Sequence, residues 1–137
     1  GGEIRTTSLK PDRKAWKVGV INPLNPSTFI HIFYSDNHES FAMATSGDYM
    51  NIRIFKDQKY SHTIDSNPLP SEFNKKSVSV ISTNAMQADA IATALNAMEL
   101  NQAIIFADKN NIKALFVTED NNEAKLIFSK ELQKVKI

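Results

Sequence analysis

An α+β fold, with a mixed or antiparallel sheet packed by one long helix and one shorter helix, is what this sequence predicts. Three observations carry that expectation. Short β-type runs separated by turn residues fill the first half, the long helical pattern begins only after Ser82, and the two kinds of element are segregated where a βαβ chain would alternate them. The 137 residues fit one domain, 1–137, and 42% apolar against 23% charged side chains leaves enough apolar surface for a core.

Glu3 to Thr7 reads as a first strand, followed by a polar, proline-bearing loop from Ser8 to Arg13. Trp16, Val18 and Val20 alternate with Lys17 and Gly19 as a half-buried strand that Asn22-Pro23-Leu24-Asn25-Pro26 stops. Thr28 to Tyr34 is apolar on both faces except at His31, the pattern of a central strand. Ser35 to Glu39 is a turn, Ser40 to Thr45 the next strand, and Asn51–Phe55 with Lys59–Ile64 a hairpin joined by Lys56-Asp57-Gln58. A loop with two prolines, Ser66 to Lys76, leads into Ser77–Ile81, read as an alternating strand. Asn84 with Gln87 resembles a capping box, and Ala88, Ile91, Leu95 and Met98 follow at helical spacing. Gln102 to Lys109 is a shorter helix that Asn110-Asn111 can close in a left-handed cap. Ile112–Thr118 and Ala124–Ser129 flank Glu119–Glu123 as a terminal hairpin, and Lys130 to Ile137 reads as a weakly tied tail.

Sixteen basic and fifteen acidic side chains leave a formal net charge of +1, so no charge field seeks nucleic acid or an anionic membrane. With no cysteine, disulfide scaffolds, thiolate nucleophiles and cysteine-type zinc sites are excluded. No apolar run approaches the ~20 residues of a membrane-spanning helix. The opening residues GGEIRTTSLKPDRK do not form a signal peptide, and without an initiating methionine the chain is expected to be a processed form or part of something longer.

Three places could carry chemistry. Asp89 and Thr93 stand four apart on the long helix, so a carboxylate and a hydroxyl project from one face with Ala85, Ala92 and Asn96 nearby. Such oxygens suit a hard cation such as magnesium, which is usually held by one or two carboxylates, waters and a substrate phosphate. The same spacing also fits a solvated carboxylate beside a threonine bonded back to its own helix. Ala44 to Tyr49 ends a strand in a small-residue turn where backbone amides around Gly47 can face an anion, though turns of this composition are also simply turns. Tyr60 to Asp65 places His62 near a carboxylate, as a general base for a hydroxyl or as a packed strand histidine. His31 reads as strand packing and His38 as loop.

Taken in order, ATSGDY (Ala44–Tyr49), YSHTID (Tyr60–Asp65) and SVSVIS followed by AMQADAIATAL (Ser77–Leu95) closely resemble the C-terminal half of the FAD:protein FMN transferases. That is the ApbE family, once called thiamine-biosynthesis lipoproteins. The opening GGEIR and WKVGVINP (Trp16–Pro23) look like the family's middle segment, so the likeness runs to about Val117.

The resemblance implies magnesium-dependent transfer of the FMN half of FAD onto a threonine or serine hydroxyl of a target protein, with release of AMP. Asp89 and Thr93 match the family's metal ligands in its D-A-x-A-T signature. His62 matches the histidine of H-x-I-D, with Asp65 beside it and the Thr63 backbone near the flavin, and Ser46, Gly47 and Asp48 match the S-G-D turn at the nucleotide site. It also implies an N-terminal half, or a partner chain, supplying a lipoprotein anchor, much of the FAD surface and another metal ligand. Members are usually extracytoplasmic and lipid-anchored. One departure stands out: where the family continues past the aspartate as P-R-T-G, this chain has Ser66-Asn67-Pro68-Leu69-Pro70. That difference keeps two rival readings open, a non-catalytic flavin-nucleotide-binding remnant and hydrolysis of FAD to FMN and AMP.

Overall fold

The structure, a computed structural model, describes residues 2–7, 9–35, 41–47, 52–55, 58–61 and 77–135, with backbone alone at 52–55 and 58–61. Its strands are β1 (Glu3–Thr6), β2 (Lys17–Asn22), β3 (Asn25–Tyr34), β4 (Phe41–Gly47), β5 (Ile52–Phe55), β6 (Gln58–Ser61), β7 (Ser77–Ser82), β8 (Lys113–Asp120) and β9 (Glu123–Phe128). The helices are α1 (Ala85–Ala97), α2 (Leu100–Lys109) and α3 (Lys130–Gln133). Five strands form an antiparallel sheet in the order β1-β4-β7-β8-β9, while β2 pairs with β3 and β5 with β6 as separate antiparallel ribbons. The α+β expectation therefore holds, with the sheet fully antiparallel among the described residues.

Two strands differ in role from the sequence reading. β7, expected to be half-buried, is buried on both faces from Ser77 to Val80 because it runs through the middle of the sheet. Its serines alternate like surface residues, yet small hydroxyl side chains fit a crowded interior, and Ser79 finds a partner there in Thr45. β3, expected at the centre, belongs to the two-stranded ribbon, and Phe29, Ile32 and Tyr34 are 66%, 40% and 51% exposed. Apolar residues on both faces mimic a doubly covered strand, but here only one face meets a core. The ribbon turns at Pro23-Leu24, with Asn22 Oδ1 accepting the Leu24 N–H at 2.9 Å, so Asn25 and Pro26 already lie on β3.

The main sheet is covered differently on its two sides. Under α1 and α2 lies a cluster rich in alanine: Ala44, Ala88, Ala92, Ala103, Ala107 and Ala114 with Val78, Val80, Leu95 and Phe116. On the other side Phe41, Met43, Leu115 and Val117 meet Val18, Val20 and Phe33 of the ribbon and Leu132 of α3.

Local signals explain the helix limits. Asn84 Oδ1 accepts the N–H groups of Met86 and Gln87 at 2.9 and 3.4 Å, as an N-cap should. The return half of the expected capping box is relayed: the Asn84 N–H donates to Ser82 Oγ, which donates to Gln87 Oε1 at 2.8 Å. α2 starts two residues before the expected Gln102 because Glu99 caps it, and it ends with Asn111 at φ 52° and the Ile112 N–H donating to Ala107 O.

The terminal hairpin and the tail both correct the sequence reading. Asn121 and Asn122 have φ of 52° and 64°, the two-residue turn that suits strand twist, so β8 and β9 extend into the stretch expected as a five-residue loop. Through residue 135 the tail is held in place. Ser129 is fully buried, its Oγ accepting from the Ala114 N–H and donating to Ile112 O, and it caps α3, which seats Leu132 in the core. No described helix is long and apolar enough to cross a membrane.

Candidate functional site

Ser46 and Gly47 close β4, half-buried, opposite Val78 and Ser77 of β7. Side-chain alternation puts Ser46 on the same face as Ala44, which is the face that α1 covers. α1 leaves the Ser82 end of β7 and packs on both β4 and β7. Its 13 residues rise ~20 Å at about 1.5 Å each, so its later turns head toward the Ser46–Val78 end.

On that helix Ala88, Ala92, Leu95 and Asn96 are buried, whereas Asp89 and Thr93 are exposed on a shared flank beside the buried stripe. Side chains four apart in a helix are neighbours, so the carboxylate and hydroxyl can converge on one ion. Among the described residues nothing donates to or ion-pairs with Asp89, which leaves its oxygens available. The donor set, all oxygen, fits a hard cation that keeps some of its waters. Among the described residues no group of three or more His, Cys, Asp or Glu could form a metal cage, so two oxygen ligands are what this helix offers.

The structure thus brings Asp89 and Thr93 together and places Ser46 and Gly47 on the strand that the same helix covers. Asp48, His62, Thr63 and Asp65, and the segment Ser66–Pro70, lie outside the described residues.

The sequence reading passed over the packing that holds the end of β4. The Thr45 N–H donates to Gly2 O at 3.2 Å, and Thr45 Oγ1 lies 2.8 Å from Ser79 Oγ. Ser77 Oγ, opposite Gly47, is buried without a hydrogen-bond partner among the described residues. The hydroxyls alternating in SVSVIS, and paired glycines opening a strand, were the available signals.

Other features stand apart. A groove of about 530 Å³ between β1 and β2 is lined by Ile4, Arg5, Thr6, Thr7, Trp16, Lys17, Val18 and Gly19, and contains none of the expected site residues. His31 packs edge-on against Phe33 and Phe128, at 4.5 and 5.4 Å between ring centres, as strand packing requires. Burial lowers its pKa below the ordinary 6.5.

Comparison with known proteins matches residues 1–116 to the ApbE family. The FAD:protein FMN transferase of Vibrio cholerae serotype O1 is 30% identical over 123 residues, covering 89% of this chain and 36% of that protein. The protein of the same name from Buchnera aphidicola subsp. Schizaphis graminum is 32% identical over 123 residues, covering 89% and 35%. Among solved structures, the apo flavinyl transferase ApbE of Pseudomonas stutzeri superposes with a TM-score of 0.77 at 28% identity, over 97% of this chain and 40% of that one. The ApbE protein of Thermotoga maritima gives 0.77 at 26% identity, over 98% and 42%. The chain spans about a third of the length of these curated relatives.

Proposed function

The chain belongs to the ApbE family, and from that membership we propose that it supplies part of the site of an FAD:protein FMN transferase. The reaction moves the FMN half of FAD onto a threonine or serine hydroxyl of a target protein and releases AMP. The observation that carries the reading is the match of residues 1–116 to the family, within which Asp89 and Thr93 share an exposed helix flank.

The chain's own groups divide the work. The acceptor hydroxyl oxygen bonds to the phosphorus of the flavin phosphate, the pyrophosphate P–O bond breaks, and AMP leaves with the electron pair. His62 takes the hydroxyl proton, with Asp65 orienting its imidazole. Ser46, Gly47 and Asp48 would bind the nucleotide, and Thr63 the flavin. Asp89 and Thr93 would hold a magnesium ion, which would supply positive charge against the phosphates. Because the matched relatives are about three times longer, the remaining ligands and FAD surface come from the rest of a family-length chain or from a partner. Exposed Phe29, Ile32 and Tyr34 give that remainder apolar surface to bury. On this reading the protein works outside the cytoplasm, tethered by a lipid anchor.

The Ser66–Pro70 departure favours a second reading, a module that binds flavin nucleotide without transferring it. Incubating the full-length gene product with FAD, magnesium and a threonine-containing acceptor protein separates them by mass spectrometry. Covalent FMN on the acceptor with AMP released is the expected result. Bound FAD without turnover supports the remnant, and free FMN with AMP supports hydrolysis; either rejects the transferase.

A further inference from the structure

We infer that Gly2 and the Thr45–Ser79 hydroxyl pair are positioning residues that clamp the nucleotide turn from both sides of β4. The inference rests on the flavin reading above.

On one side, the Thr45 N–H···O contact to Gly2 adds a rung beyond the last β1–β4 pair, Glu3↔Ala44. The approach is close: a β-carbon on Gly2 would stand 2.6 Å from Thr45 O and 3.5 Å from Thr45 C and N. These are backbone atoms, which cannot rotate aside as a side chain would. On the other side, Thr45 Oγ1 and the buried Ser79 Oγ share a hydrogen bond at 2.8 Å.

The contacts converge on Thr45: its N–H bonds to Gly2 O, its side-chain hydroxyl to Ser79, and its carbonyl lies against the Gly2 α-carbon. The Thr45 carbonyl and the Ser46 N–H belong to the same rigid plane, so tilting one re-aims the other. A methyl group at position 2 must push that plane or shift β1, and either change moves the Ser46 amide and the Gly47 that follows it. Losing the Ser79 hydroxyl would free the same strand end from its β7 side. An anion held by backbone amides depends on their common aim, so the expected loss falls on nucleotide affinity.

The test uses the full-length gene product with three variants, Gly2→Ala, Ser79→Ala and Ile4→Ala, the last on the same strand and away from Thr45. FAD affinity is read by quenching of flavin fluorescence, stability by thermal melting, and strand order by hydrogen exchange at the amides of Thr45 to Gly47. Gly2→Ala is expected to weaken FAD binding on the order of ten-fold, the equivalent of one hydrogen bond, and to speed exchange at Thr45–Gly47. Ser79→Ala should do the same from the other side, and Ile4→Ala should lower the melting temperature at unchanged FAD affinity. Gly2→Ala and Ser79→Ala both with wild-type exchange at these amides would overturn the inference whether or not FAD binds. So would equal loss of FAD affinity in Ile4→Ala. A wild-type protein that binds no FAD, with exchange still faster in Gly2→Ala, rejects the flavin reading and the nucleotide role together while leaving the clamp itself standing.

Discussion

The two sides of the central sheet are closed by different means. The helix side is sealed by small residues, six alanines among the ten buried members of its core, which let α1 lie close to β4 and β7. The ribbon side is filled by larger side chains, Phe33, Phe41, Met43, Leu115 and Leu132 among them, under a two-stranded cover whose outer surface still exposes Phe29, Ile32 and Tyr34. Close approach fixes the helix side as a frame, so Asp89 and Thr93 can stand on its exposed flank at little cost to packing. The ribbon side carries bulk, and His31 is inserted there among aromatic rings. One side offers chemistry on a rigid support; the other offers a cover that depends on what its edges meet.

The largest effect expected from this contrast is at Leu95, fully buried where α1 meets the alanine-rich core. Close-packed small neighbours cannot collapse into a large void, so Leu95→Ala should cost about 2–5 kcal/mol. Denaturant unfolding checks this, and a cost near that of a surface substitution would show that the helix side is looser than described.

His31 should give a smaller, pH-dependent effect on the ribbon side. Its Nε2 is buried with no hydrogen-bond partner among the described residues, and burial lowers its pKa below 6.5, so the folded state binds a proton less readily than the unfolded chain does. This contribution is complete above the unfolded value and is lost as pH falls through the lowered one. As pH falls below the ordinary 6.5 the wild type should therefore lose more melting temperature than His31→Phe. Identical pH profiles for the two proteins would remove His31 from the account.

The helix side was the more legible in sequence, and the reason is physical. Helical spacing is a local pattern, and Asn84 announced the start of α1 one residue before it begins. Asp89 and Thr93 were visible because four-residue spacing guarantees a common flank. The ribbon misled because apolar residues on both faces of Thr28–Tyr34 look the same whether the outer face meets protein or solvent. Ser129 misled for another reason: a lone serine says nothing of the three backbone groups that meet its hydroxyl at 2.7, 3.0 and 3.4 Å, and those contacts hold the tail. Gly2 was only half legible for the same cause: paired glycines stand out in the sequence, but the Thr45 backbone that Gly2 lies against is 43 residues away.

The most direct measurement is the magnesium dependence of FAD binding in the full-length gene product, compared between wild type and Asp89→Asn. Asparagine keeps the shape and removes the charge, and on an exposed helix flank it should leave the melting temperature within about a degree. The account predicts that wild-type affinity rises with magnesium and that the variant's affinity does not. An Asp89→Asn protein that retains the full magnesium dependence would contradict the assignment of this helix as the metal-bearing side.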